Sequence, residues 1–327
     1  MNMPKLGNSL FVLPTALLLA LAEPQSADAQ EYPAREITIV SSFSPGTPTD
    51  LLARLLAEGV QKELGVPVTV EPKPGAFGSL AAGTVARSAP DGYSLVMITN
   101  GTHAANPYIY KSIPYDPVKD FTILSAFAIG QNILVSGPSV TAKTVGELVE
   151  LEKAAPGSLK YGTSTATSLA ASELFNMKTD IKMKGISYTS GAQIVTDLLA
   201  GQIQVAFLDQ LTASPLVSSG QLKGFAVTGK TRSALVPELP TMQEAGLAGY
   251  QVNSWIGVAA PAGIDPAIIQ RLGGALQKVE ATPAFTDALA KLGYEHNETT
   301  PKSASQYVVE QNDFWKNLAS SAGIELR

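Results

Sequence analysis

A short apolar strand, a polar turn and an amphipathic helix follow one another after residue 36. The strand candidate, residues 37–40, is β-branched, and leucines recur at helical spacing after Asp50. The turn between them contains proline and glycine, and Thr49 or Asp50 is placed to cap the helix with a side-chain oxygen. Such a turn presents free backbone N–H groups in a concave arrangement. The pattern therefore predicts a strand–helix unit whose turn attracts an anion, such as a small carboxylate, without a basic side chain.

The alternation of strand and helix patterns continues along the whole chain. Apolar strand candidates are residues 37–40, 66–70, 95–99, 133–136, 159–162, 186–188, 205–209, 225–228 and 255–259. Amphipathic helix candidates are residues 49–64, 79–89, 145–154, 168–177, 192–200, 266–281 and 304–322. This order predicts an α/β fold in which helices cover parallel sheets, with ligands beyond the carboxyl ends of the strands.

The N-terminus has the pattern of an export signal. Lys5 precedes a short apolar core at residues 10–22, and Ala27-Asp28-Ala29 supplies a small-x-small cleavage site. The alternative is a membrane anchor, but the core is short for a bilayer and Pro14 interrupts it. We therefore expect residues 1–29 to be removed, the protein to reach the periplasm, and no stable insertion into a membrane.

The remaining chain is long enough for two domains of common size. Two stretches indicate crossings between them: the long strand region 121–136, which Gly130 interrupts, and residues 249–255, which follow the turn-rich stretch 237–249. The predicted division is residues 30–130 plus 251–327 for lobe 1 and residues 131–250 for lobe 2, with a hinged ligand cleft between them.

The composition restricts the chemistry that this chain can perform. The net charge of −5 leaves no basic surface for nucleic acid, and the absence of cysteine excludes thiol catalysis. Only His103 and His296 could serve a metal site or a nucleophilic triad. A lone histidine such as His103 is more often a hydrogen-bonding residue than a base. We expect no cofactor, no metal and a monomeric protein.

Other turns beyond strand ends offer further polar groups. The turn from Thr163 to Ser168 carries five hydroxyls, more than a helix cap needs, and could hold a second carboxylate. Asp209 ends a strand and could either line a cleft or cap the following helix. Phe77, in the glycine-bounded loop 75–78, is either a turn residue or a wall of the cleft. Tyr188 is by default a packing residue.

One motif resembles a catalytic signature only in its letters. Residues 224–231 match the phosphate-loop pattern GxxxxGK[ST]. The residues between its glycines form an apolar strand candidate rather than a loop, and no long helix follows. We therefore expect no nucleotide site there.

Several segments together resemble the solute-binding receptors of tripartite tricarboxylate transporters, the Bug-type family. The segments are Phe-Ser-Pro-Gly-Thr-Pro-Thr-Asp-Leu-Leu-Ala-Arg at 43–54, Pro-Gly-Ala-Phe-Gly at 74–78, Ala-Pro-Asp-Gly-Tyr at 89–93, Ile-Pro-Tyr-Asp-Pro-Val-Lys-Asp-Phe at 113–121, Leu-Pro-Thr-Met-Gln-Glu-Ala-Gly at 239–246 and Ala-Pro-Ala-Gly at 260–263. The resemblance implies two α/β lobes in a Venus-flytrap arrangement and a small mono- or dicarboxylate delivered to a membrane permease. It also implies that backbone groups and water from the two turns hold the ligand.

This chain departs from the family pattern at four places. Thr47 and Phe77 stand where the family usually has glycine, Leu169 stands where it has histidine, and Ser190 replaces the lysine of a Lys-Gly pair. These changes favour a less polar carboxylate, aromatic ones included. The candidate ligand-binding residues are Ser44, Pro45, Gly46, Thr47, Thr49, Asp50, Phe77, His103, Thr163, Ser164, Thr165, Thr167, Ser168, Tyr188 and Asp209.

Two other functions are compatible with the sequence. An exported serine hydrolase could use His103 as its base, although the chain lacks a GxSxG elbow. A receptor that passes ligand occupancy to a membrane kinase would share every binding feature. Genomic neighbours would separate sensing from transport.

Overall fold

The structure, a computed structural model, describes residue 1, residues 32–322 and residue 324. The predicted export signal lies outside the described residues. The strands are β1 Ile37–Ser41, β2 Val68–Pro72, β3 Ser94–Thr99, β4 Phe121–Ser136, β5 Lys160–Thr163, β6 Lys184–Ser187, β7 Val205–Asp209, β8 Lys223–Val227, β9 Asn253–Pro261 and β10 Tyr294–His296. The helices are α1 Pro48–Leu64, α2 Ser79–Ala86, α3 Asn106–Ile109, α4 Val145–Ala154, α5 Ala166–Thr179, α6 Gly191–Leu199, α7 Gln210–Ser218, α8 Pro266–Glu280, α9 Pro283–Lys291 and α10 Pro301–Ala322.

The strands form one ten-stranded sheet in the order β2-β1-β3-β9-β4-β7-β5-β6, with β10 and β8 also paired to β4. The sixteen-residue strand β4 connects its two parts. Up to Gln131 it pairs with β9, and from Asn132 onward it pairs with β7. The prediction of parallel sheets was incomplete, because β4, β8, β9 and β10 add antiparallel pairs.

The directions of strand pairing bring two sets of carboxyl-terminal strand ends towards the Gln131–Asn132 junction of β4. β1 and β3 run parallel to the first part of β4, since each is related to it through antiparallel β9. β5 and β7 run antiparallel to the second part of β4. The carboxyl ends of β1 and β3 therefore approach the Gln131–Asn132 junction from one side, and those of β5 and β7 approach it from the other.

Helices cover both faces of each part of the sheet. Neighbouring residues Leu95 and Val96 enter different core clusters, because successive strand side chains point to opposite faces. Ile133 and Leu134 divide in the same way between two clusters. Burial on both faces explains why these strands are continuous apolar runs rather than alternating ones.

Most predicted elements are present, with shifts of a few residues at their ends. Phe225, Ala226 and Val227, between the glycines of the phosphate-loop-like motif, belong to β8, as the sequence indicated. The sequence did not predict the π-helical turn Gly101–Ala105, α3, α9 or β10. In the described part of the chain, the helices are too short or too polar to cross a membrane.

Candidate functional site

The turn between β1 and α1 is organised by its own side chains. The N-cap of α1 is Thr47, whose hydroxyl accepts from the Asp50 N–H at 3.4 Å. The prediction of Thr49 or Asp50 as the cap was wrong. Pro48 occupies the first helical position, where a missing N–H costs nothing, and the cap is therefore two residues before Thr49. The Thr47 hydroxyl also donates to the Ser44 carbonyl at 2.8 Å.

Asp50 supplies an anion to this turn from within the chain. Its side chain is 1% exposed, and its Oδ2 accepts from the Gly46 N–H at 3.1 Å. The Arg54 guanidinium donates to both Asp50 oxygens, from Nε at 3.0 Å and from a terminal nitrogen at 3.1 Å. Bidentate pairing of this kind fixes geometry as well as charge. One backbone donor that the sequence offered to a ligand is thus already satisfied by Asp50.

The rest of the turn faces outward. Ser44, Pro45 and Gly46 are exposed, whereas Thr49 is buried at the first turn of the helix. Gly46 has φ +82°, in the left-handed region that favours glycine. A Cβ at Gly46 would meet no described atom within 4 Å. A larger residue there would strain the backbone without crowding a neighbour.

The loops after β2 and β3 meet this turn. A Cβ placed on Gly78 would lie 2.5 Å from Thr102 Cγ2 and 3.0 Å from Ser42 Cβ. The Ser42 hydroxyl donates to the Met97 carbonyl, which ties the start of the turn to β3. Phe77, next to Gly78, is half-buried and packs edge-on against Tyr110 with ring centroids 6.2 Å apart. The structure thus gathers Ser42, Phe77 and Thr102 at one edge of the sheet.

His103 lies inside the core rather than on the turn surface. It is 0% exposed, and its ring centroid is 4.5 Å from that of Phe121. Its Nδ1 contacts the Thr102 hydroxyl at 3.0 Å, and Nε2 has no hydrogen-bond partner among the described residues. Burial lowers the pKa of His103 to about 3. Among the described residues, this ring therefore makes no hydrogen bond with a serine that it could activate.

The turn between β5 and α5 uses two of its five hydroxyls for capping. Thr165 and Ser168 form a reciprocal capping box: the Ser168 N–H donates to Thr165 Oγ1 at 3.1 Å, and the Thr165 N–H donates to Ser168 Oγ at the same distance. Ser164 also donates its N–H to Ser168 Oγ. Thr167 is buried in the first helical turn.

Thr163 differs from its neighbours in this turn. It ends β5 and is 1% exposed, and its hydroxyl has no hydrogen-bond partner in the described part of the chain. A buried hydroxyl without a partner costs free energy unless water or a ligand satisfies it. Among the hydroxyls of this turn, Thr163 is therefore the strongest candidate for a ligand contact.

Tyr188 and Asp209 complete the second set of strand ends. Tyr188 follows β6, donates its N–H to the Thr163 carbonyl at 2.8 Å and donates its hydroxyl to Asp197 at 2.7 Å. Burial and the Asp197 hydrogen bond raise the pKa of Tyr188 to about 12. Asp209 caps α7, accepting from the Thr212 N–H and hydroxyl at 2.9 Å each. Of its two possible roles, capping is present, and burial raises its pKa.

Two polar residues in the helices next to these turns were not identified from the sequence. Arg54 pairs with Asp50 from one helical turn away, and the i, i+4 spacing could have indicated it. Asn106 is fully buried and donates to the Ser79 hydroxyl at 2.8 Å and to the Phe77 carbonyl at 3.3 Å. Its partners are 27 and 29 residues away, so no local pattern could identify it.

Comparisons with known proteins agree with this arrangement. Residues 52–324 match a family described as tripartite tricarboxylate transporter family receptor. A Cupriavidus necator protein, "UPF0065 protein in gbd 5'region", is 34% identical over 95% of this chain and 94% of its own length. Protein BugT of Bordetella pertussis is 30% identical over 94% of each chain.

Solved structures share the fold along their whole length. R. palustris Rpa4515 with adipate has a TM-score of 0.85 and 30% identity, covering 90% of this chain and all of that one. The periplasmic binding protein BugD has a TM-score of 0.82 and 31% identity, with the same coverage. The fold is therefore the mixed α/β fold of periplasmic binding proteins, which the sequence predicted. The chain belongs to the receptor family of the tripartite tricarboxylate transporters.

Proposed function

We propose that this protein captures a small mono- or dicarboxylate in the periplasm and delivers it to the membrane permease of a tripartite transporter. The observation that carries the proposal is the convergence of strand ends on the Gln131–Asn132 junction from both parts of the sheet. Each set includes a strand whose turn opens a helix, α1 or α5. Helix N-termini and free hydroxyls favour an anion placed between them. The adipate in the Rpa4515 structure and the malate bound to MatC of Rhodopseudomonas palustris support a carboxylate.

The binding step would close two lobes, residues 30–130 plus 251–327 and residues 131–250. The contacts at the junction support a hinge there. Thr228 accepts from the Asn132 N–H at 2.9 Å and donates to the Val252 carbonyl at 2.7 Å, so one side chain joins both crossings. Gln131 accepts from the Gly229 N–H at 2.9 Å. Small-angle scattering should give a smaller radius of gyration with ligand than without, and an unchanged radius at saturation would contradict closure.

A carboxylate panel tests the proposal directly. Calorimetric titration of the mature chain with acetate, succinate, malate, adipate and benzoate should detect saturable binding of at least one member. The matched amines or amides should not bind, because the turns offer donors to an anion. The best ligand should be recovered unchanged by mass spectrometry after prolonged incubation, since His103 and the Thr102 hydroxyl that it contacts are both enclosed in the core. Turnover of the ligand, or failure of every carboxylate to bind, would refute the proposal.

A pair of glycine variants tests the role of the first turn. Gly46 and Gly157 share φ +82°, and a Cβ at either position would have no described atom within 4 Å. Gly157 lies in the loop before β5, at the opposite end of that strand from the Thr163 turn. Gly46→Val and Gly157→Val should therefore lose similar stability through backbone strain. Only Gly46→Val should lose carboxylate affinity. Equal carboxylate affinity in the two variants would show that the 44–50 turn does not contribute to binding.

A further inference from the structure

The loop between β2 and α2 holds an unusual backbone. Gly75, Ala76, Phe77 and Gly78 are consecutive and all have positive φ, at 135°, 46°, 47° and 86°. For Ala76 and Phe77 this is the left-handed region, which side chains with a Cβ adopt only at a cost. Strain of this kind persists where the surroundings impose it, and it concentrates at ligand sites.

Three contacts impose this conformation on the loop. The buried Asn106 amide reaches the Phe77 carbonyl at 3.3 Å and the Ala76 carbonyl at 3.4 Å. Gly101 lies against the loop so closely that a Cβ there would be 2.6 Å from the Phe77 carbonyl oxygen and 3.2 Å from Phe77 Cβ. Gly78 lies equally close to Thr102 on the other side. The Phe77 side chain is therefore fixed in position by groups from the turn after β3.

The Phe77 loop lies beside the turn after β1. A Cβ on Gly78, the next residue, would be 3.0 Å from Ser42 Cβ, and Ser42 precedes the exposed Ser44 by two residues. The Phe77 ring is half-buried, and Tyr110 meets it edge-on. A strained backbone thus holds a half-buried aromatic residue in a loop that contacts the turn proposed for the carboxylate, and strain of this kind is typical of ligand sites.

We propose that Phe77 forms the apolar wall of the ligand site and selects a carboxylate whose body is an aromatic ring. This inference rests on the proposed function and deepens it. The carboxylate would lie against the 44–50 turn, and the ring would pack on Phe77 in an offset or edge-to-face arrangement. Asn106 acts as a positioning residue, because it contacts the Phe77 loop rather than the ligand.

Benzoate and cyclohexanecarboxylate test the selection, since they carry the same carboxyl group on six-membered rings that differ in aromaticity. Calorimetry on the mature chain should give benzoate an affinity about two- to tenfold higher, the range that aromatic pairing provides. Phe77→Gly should remove that difference. Glycine suits the positive φ, which offsets part of the packing lost with the ring, and a melting scan checks that this variant is folded. Phe77→Tyr should keep the preference. Leu80→Ala, which removes the neighbouring 58% exposed side chain, should leave it unchanged.

The outcomes distinguish the inference from the proposed function. Equal affinities for the two ring acids in the parent, or a preference that survives Phe77→Gly, would overturn the inference while adipate binding kept the proposed function intact. If Phe77→Gly loses both the aromatic preference and adipate binding, the ring has a general role in binding, and its selection of aromatic carboxylates would also be overturned. If the parent binds no carboxylate at all, the proposed function itself fails.

Discussion

Replacing Glu280 with glutamine should make the free energy of unfolding less sensitive to rising pH. Glu280 ends α8 and is 2% exposed, and its Oε1 has no hydrogen-bond partner within the described residues. Burial raises the pKa of Glu280 from its usual 4.5 to about 7, and a hydrogen bond with Ser125 only partly offsets this. The folded protein therefore holds this proton at a pH where the unfolded chain has released it.

The sign and size of the effect follow from the two pKa values. Below pH 4.5 the carboxyl is neutral in both states, and its burial costs no charge penalty. Between pH 4.5 and about 7 the unfolded chain binds fewer protons, so the free energy of unfolding falls as the pH rises. Integrated from pH 5 to pH 8, the loss is about 2–3 kcal/mol. The neutral amide of Glu280→Gln carries no such loss.

Urea unfolding at pH 5, 6, 7 and 8 measures this difference, with tryptophan fluorescence as the signal because Trp255 and Trp315 are both buried. The stability of Glu280→Gln relative to the parent should increase by about 2–3 kcal/mol across this range. Glu238→Gln changes an exposed glutamate and serves as the matched control, with a constant difference expected. A relative stability of Glu280→Gln that does not change with pH would refute the reasoning.

Three further predictions concern the turns and the buried histidine. Thr165→Ala removes one half of the capping box and should cost about 1 kcal/mol, measured by urea unfolding against Thr196→Ala on the exposed side of α6. Asp50→Ala leaves the Gly46 N–H and the Arg54 guanidinium without their acceptor, so the free energy of unfolding should fall by about 2 kcal/mol. In calorimetric titrations, Arg54→Ala should lower carboxylate affinity less than Asp50→Ala does. Ligand affinity should stay constant from pH 6 to 8 and remain so in His103→Gln, because burial holds the pKa of His103 near 3 and the ring is neutral throughout; calorimetry showing an affinity that falls above pH 7 would contradict this.

Local patterns were sufficient for elements whose signals are continuous in sequence. The helix Val145–Ala154 and the strand Val205–Asp209 have the predicted bounds, because a Thr cap and an apolar run mark them without help from distant residues. The helix α9 was missed, since it is short and joins α8 through two residues that the predicted helix had partly absorbed. The strand β10 was missed because its three residues are polar or half-buried and owe their conformation to pairing with β4.

The site was predictable in outline but not in its internal contacts. Both turns could be identified from the sequence, and so could the five hydroxyls of the second turn. The sequence does not show that the Thr165 and Ser168 side chains cap each other's backbone N–H groups. Nor does it show that the Thr163 hydroxyl has no hydrogen-bond partner among the described residues. Likewise, the interior position of His103 depends on Phe121 and Tyr115, which reach it through tertiary packing. Donor and acceptor types are written in the sequence, but their partners are set by the fold.

Because β4 belongs to both parts of the sheet, the two parts share one continuous backbone at their junction. A cut after Gln131 would leave Phe121–Gln131 paired with β9 and β10, and Asn132–Ser136 paired with β7 and β8, but it would break that backbone. The orientation of the two parts would then depend on the second crossing, where Thr228 hydrogen-bonds the Val252 carbonyl. Dissection, circular permutation and fluorescent-protein insertion in a biosensor should therefore avoid β4 and use surface loops such as the one at Gly157.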